Sequence, residues 1–165
     1  MLVYHGSYME IKTPDIDYGR FNLDFGKGFY VTTLREQAEK WAPRRAKAEK
    51  RENAFVSIYE FNTNGLNLLS FDGYTEDWLY FVLNSRAGKA QTHQYDAVYG
   101  GMADDEIAPT INYYLRLLEK GRIGEEDKNF FIRQLSFSKP NNQYCITTQK
   151  GINALKFIES YKLGD

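Results

Sequence analysis

Short strand-like runs alternate with longer helix-like stretches along this chain. "LVYHG" (residues 2–6) and "GFYVTT" (residues 28–33) read as the first two strands. Between them, residues 8–27 are rich in Asp, Gly and Pro and read as a long loop of the kind that often covers a site. "LREQAEKWAPRRAKAEKRE" predicts a charged helix with Leu34, Ala38 and Trp41 on one face, and Pro43 predicts a kink or a split in it. "AFVSIYEF" is nearly continuously apolar, as a central strand is, and the following "NTNGLNLLSFDG" is turn-rich. "TEDWLYFVLNSRAG" predicts a helix with Thr75 at its N-cap and Gly88 past its end, and "YDAVYGG" predicts another strand.

The helical pattern returns in "ADDEIAPTINYYLRLLEKG", starting near Asp104 or Asp105, with Ile107, Ile111, Tyr114, Leu115 and Leu118 facing inward. A shorter helix, "EEDKNFFIRQL", follows. In "NQYCITT" alternation puts Gln143, Cys145 and Thr147 on one side of a late strand and Tyr144 and Ile146 on the other. "QKGINALKFIESYK" reads as a closing helix. Strands and helices are interspersed without regular βαβ spacing, so the pattern predicts one mixed domain, α+β or α/β, over residues 1–165.

Composition narrows the function classes. With 22 Asp+Glu against 21 Lys+Arg, bulk charge gives no drive toward nucleic acid or an anionic membrane. The single cysteine, Cys145, cannot form an internal disulfide, and no apolar run reaches membrane-spanning length. These features predict a soluble, cytoplasmic protein. The 13 Tyr and 11 Phe fit either an aromatic core or a pocket walled by ring faces.

Most familiar chemistries lack their residues. His5 and His93 have no partners at metal-ligand spacing, so no metal is expected, and there is neither a phosphate loop nor a GxGxxG motif. A Cys145–His5 nucleophile pair is conceivable, but a lone strand cysteine is more often a small apolar filler. The basic cluster Arg44, Arg45, Lys47, Lys50 and Arg51 is interleaved with acids and reads as a solvated helix face, with phosphate contact as the alternative.

Three segments taken in order carry more information: "YHGS", "GKGFYVTT…QAEKWA" and "NNQYCITT". Together they resemble the ADP-ribosyltransferases, in the His-Tyr-Glu branch of diphtheria toxin and the poly-ADP-ribose polymerases. With "DFGKGFY" and "YDAVYGGMADD", the whole chain is similar to a small bacterial family called domain of unknown function 3990. The resemblance implies two small facing β-sheets that form an NAD cleft with flanking helices. It also implies a mono-ADP-ribosyltransferase that uses NAD as co-substrate and releases nicotinamide. The acceptor would be a protein or nucleic acid, and the setting a bacterial toxin held by an antitoxin partner. The alternative is a catalytically weak or inactive module of the same fold that binds NAD or ADP-ribose.

By this resemblance His5, Tyr30 and Gln143 are the catalytic residues, and His5, Gly6, Ser7, Tyr30 and Trp41 bind the dinucleotide. Such a site must hold a planar cation and stabilise an oxocarbenium-like transition state. Tyr30 and Trp41 would sandwich the nicotinamide, and the Gly6 backbone would take its carboxamide. His5 would bond the adenosine ribose, with Ser7 completing the motif. The loop from Tyr8 to Lys27 would lie over the dinucleotide. Two positions depart from the polymerases: Gln143 stands where they have glutamate, and Ala38 where they have serine. An amide keeps the hydrogen bond of a carboxylate without its charge, which argues against polymer elongation. Asp104 and Asp105 are candidates for the missing carboxylate, or for a helix cap.

Overall fold

The computed structural model describes residues 1–88, 94–103, 107–122, 124–135 and 141–164. The described residues form a mixed α/β structure of seven strands and five helices. In chain order these are β1 (Leu2–Ser7), β2 (Phe29–Thr32), α1 (Arg35–Ala48), β3 (Ala54–Phe61), β4 (Leu68–Ser70) and α2 (Glu76–Arg86). They continue with β5 (Ala97–Gly101), α3 (Ala108–Glu119), α4 (Glu125–Leu135), β6 (Asn142–Ile146), α5 (Gln149–Asn153) and β7 (Leu155–Leu163).

The strands pair in the order β4-β5-β6-β2-β1-β3-β7. Six residues of β1 pair with β3, and all four residues of β2 pair with β6. Between β1 and β2, however, only Tyr4 and Thr32 are partners. The expected pair of separate facing sheets is thus replaced by one hydrogen-bonded series, pinched to a single residue pair near its middle. Past that pair a side chain interrupts the ladder: the His5 ring Nδ1 lies 2.7 Å from the Tyr30 carbonyl oxygen.

Several elements follow from local chemistry. The Thr75 hydroxyl accepts the Trp78 N–H and caps α2, and Gly88 closes that helix with φ +67°. β3 lies between β1 and β7 and is buried along most of its length, which explains its apolar run. Ile107, Ile111 and Tyr114 are buried, as their helical spacing predicts, and Leu115 packs against the same core. The Leu118 side chain falls outside the described set, as do Asp104, Asp105 and His93.

Other elements differ from the sequence pattern. The closing helix shortens to α5, and residues 155–163 form β7. That segment alternates between half-buried and exposed positions over most of its length and finds a full-length partner in β3. β4 emerges within the turn-rich stretch because it pairs in parallel with β5. Helix α1 runs unbroken through Pro43. Its buried stripe is Ala38, Ala42 and Ala46, whereas Leu34 and Trp41 are 48% and 40% exposed.

The small stripe has a packing cause. A Cβ on Gly6 would lie 2.3 Å from the Ala38 carbonyl oxygen and 2.9 Å from the Ala42 nitrogen. Glycine facing alanine lets the α1 backbone rest directly on β1, and Trp41 is too large for that contact.

Candidate functional site

A cavity of about 620 Å³ opens where the two halves of the sheet part, a size typical of small-molecule and cofactor sites. Its wall includes all six residues singled out from the sequence: His5, Gly6, Ser7, Tyr30, Trp41 and Gln143. They come from β1, β2, α1 and β6. Much of the 8–27 loop forms another part of the wall. The loop is tied down at Ile11, whose N–H donates to Ser57 Oγ at 3.1 Å and whose carbonyl accepts the Tyr59 hydroxyl.

His5 is half-buried and stacks on Phe29, with ring centroids 4.4 Å apart. A carbonyl can only accept, so Nδ1 carries the proton donated to Tyr30 and the neutral ring presents Nε2 as an acceptor. Burial lowers the His5 pKa to about 4, which keeps the ring in this form at neutral pH. Nε2 has no protein partner among the described residues.

Gly6 lies two residues past Tyr4, where the pairing of β1 with β2 stops, and remains paired with Val56 of β3. Its missing side chain accommodates α1 rather than a ligand.

Tyr30 is anchored through its tip. Its hydroxyl donates to the Gly26 carbonyl at 2.7 Å and accepts the Phe25 N–H at 3.1 Å. A phenylalanine could fill the same volume but would leave that turn unsatisfied. Trp41 lies on the same cavity wall, with no direct ring contact to Tyr30 among the described residues.

Gln143 is 7% exposed, and its amide nitrogen donates to Asp24 Oδ2 at 3.1 Å. Asp24 is equally buried. Its Oδ1 accepts Arg86 Nε at 2.9 Å and Nη2 at 2.6 Å, while Oδ2 also accepts the Ala103 N–H at 2.9 Å. In the sequence Asp24 falls within "DFGKGFY" with no role assigned to it, and the candidates for a carboxylate are Asp104 and Asp105. The available signal was an acid directly before the Phe-Gly turn that Tyr30 anchors. Its partners lie too far along the chain to be read from pattern.

Cys145 is fully buried on the core side and is not part of the cavity wall. Burial pushes its thiol up to about 12, so it is an apolar filler rather than a nucleophile. Of the basic cluster, Arg44, Lys47, Lys50 and Arg51 are exposed, while Arg45 lines the cavity and pairs with Glu49 at 3.3 Å. No described helix is long and apolar enough to cross a membrane.

No curated protein and no solved structure matches this chain. The family model described as "Protein of unknown function (DUF3990)" matches residues 1–157, nearly the entire length, and the chain belongs to that family.

Proposed function

We propose that the cavity binds NAD and that the protein is a mono-ADP-ribosyltransferase, transferring ADP-ribose to a macromolecular acceptor with release of nicotinamide. The observation that carries this reading is the convergence of His5, Gly6, Ser7, Tyr30, Trp41 and Gln143 on one cavity at the pinch of the sheet. The polar groups suit the ligand. His5 Nε2 and Gln143 Oε1 are acceptors without protein partners among the described residues, as ribose hydroxyls require. The faces of Tyr30 and Trp41 suit a flat cationic ring.

NAD supplies an electrophilic ribose carbon and a leaving group, nicotinamide, whose nitrogen keeps the electron pair when the bond between them breaks. The protein contributes binding and orientation. Tyr30, fixed at its tip by the turn at Phe25 and Gly26, offers a rigid stacking face. The Gly6 N–H and C=O complement a carboxamide. Neutral His5 accepts one ribose hydroxyl, and Gln143 accepts another beside the carbon under attack. The acceptor's nucleophile then bonds to that carbon and loses its proton to solvent. In the toxin setting, an antitoxin would cover the cavity mouth.

One observation favours a second reading, an NAD-binding module without turnover: Gln143 brings no charge of its own, and Asp24 is balanced by Arg86. Calorimetry with NAD and an assay of nicotinamide release, with and without lysate as acceptor source, separate the two. The transferase requires both signals, and the module gives binding alone. Tyr30→Ala should weaken NAD binding by roughly 1–3 kcal/mol, the worth of one aromatic stacking face. Absence of NAD binding by the folded wild type would overturn both readings.

A further inference from the structure

Gln143 reaches the cavity in a constrained state. The Asp24 carboxylate accepts hydrogen bonds and has no proton to give, so the amide nitrogen of Gln143 must face it. The orientation is therefore set by chemistry, and Oε1 points away from Asp24 with no protein partner among the described residues. Asp24 is itself immobilised. Arg86 holds Oδ1 through two nitrogens, and the Ala103 N–H shares Oδ2 with Gln143. Asp24, Gln143 and Ala103 are buried and Arg86 is half-buried, and in such surroundings hydrogen bonds in series polarise one another. A carboxylate at the amide nitrogen shifts electron density toward the amide oxygen.

We propose that Asp24 is a positioning residue that holds the Gln143 amide with its oxygen toward the cavity and polarises it, making Gln143 a fixed, electron-rich acceptor for a ligand hydroxyl. The negative charge of the site is carried one hydrogen bond behind the group that meets the ligand. The role in turnover rests on the transferase reading; the orientation of the amide does not. Arg86 satisfies the far oxygen of Asp24 and keeps the carboxylate from rotating away. The titratable groups around the pair are Arg86, Tyr30 and Cys145.

The proposal predicts that a glutamate at 143 is harmful, because two acceptor-only carboxylates would then face each other across the present 3.1 Å contact. The test uses Asp24→Asn, Gln143→Glu and the double variant Asp24→Asn/Gln143→Glu. In the single Gln143→Glu variant, the new carboxyl must hold its proton to fold. Its folded pKa lies above its unfolded value of about 4.3, so its stability relative to wild type falls as pH rises through the folded value. The double variant restores a donor opposite an acceptor and should lose that pH dependence. For nicotinamide release, Asp24→Asn should lower kcat about 10- to 100-fold with little change in KM, the size typical of partners that orient a functional group. The double variant should recover most of that loss.

Gln143→Glu stability that tracks wild type at every pH would overturn the orienting contact, with or without enzymatic activity. Wild-type kcat in Asp24→Asn would overturn the positioning role. A wild type that releases no nicotinamide overturns the reaction and Asp24's role in turnover. The stability comparison then still decides whether Asp24 orients the amide.

Discussion

Replacing Gly6 with alanine tests the packing that joins the fold to the site. The added Cβ would sit 2.3 Å from the Ala38 carbonyl oxygen and 2.9 Å from the Ala42 nitrogen, both backbone atoms of α1. An ordinary carbon–oxygen contact lies near 3.3–3.6 Å, so the helix must withdraw by about 1 Å. Withdrawal opens the interface in which Ala38, Ala42 and Ala46 pack with Ala54 and Val56, and a gap of that size forfeits up to about half of each contact. Overpacking of this kind costs about 1–3 kcal/mol, and the upper end applies because no flexible side chain can yield. Gln37, Ala38, Trp41 and Arg45 ride on α1 and line the cavity, so ligand affinity should fall with stability. Denaturant unfolding at unchanged m-value measures the first effect, and calorimetry with NAD measures the second. Gly73→Ala is the control: its φ is +79° with nothing near the added atom, so it reports backbone strain alone, about 1 kcal/mol. A Gly6→Ala protein within about 0.5 kcal/mol of wild type would refute the direct seating of α1 on β1.

Tyr30→Phe should cost about 1–3 kcal/mol of stability, because the Gly26 carbonyl and Phe25 N–H lose their partner. It keeps the ring face, so NAD affinity should fall less than in Tyr30→Ala; equal losses in the two variants would place the binding contribution in the hydroxyl. The His5 pKa is depressed to about 4, so the stability it supports is complete above its unfolded value of about 6.5 and lost as pH falls toward the folded one. With an allowance for water reaching the half-buried ring, wild type should lose about 1–2 kcal/mol more than His5→Gln between about pH 7 and pH 5. Parallel pH profiles for the two proteins would refute a neutral, desolvated His5.

Much of the architecture is legible from local pattern because its causes are local. Thr75 and Gly88 bound α2 through bonds to neighbours within one turn. The apolar run 54–61 reads as an interior strand because both its faces are covered. His5, Gly6, Ser7, Tyr30, Trp41 and Gln143 stand out in the sequence because each belongs to a short motif on a strand or on the helix that follows it, and the fold brings them to one cavity wall, whereas the contacts of Asp24 are not legible. Where the chain departs from its pattern, the deciding partner is distant in sequence. Residues 155–163 carry a weak periodicity that either helix or strand could use, and only a full-length partner in β3 selects the strand. The face α1 buries was not decided by its largest apolar residues, because what it meets is the bare backbone of Gly6, which admits alanine and turns Trp41 outward to the cavity. Asp24 and Gln143 stand 119 residues apart. No spacing rule links them; only the folded sheet brings the acid beside the amide, where an acceptor that cannot donate determines which way the amide turns.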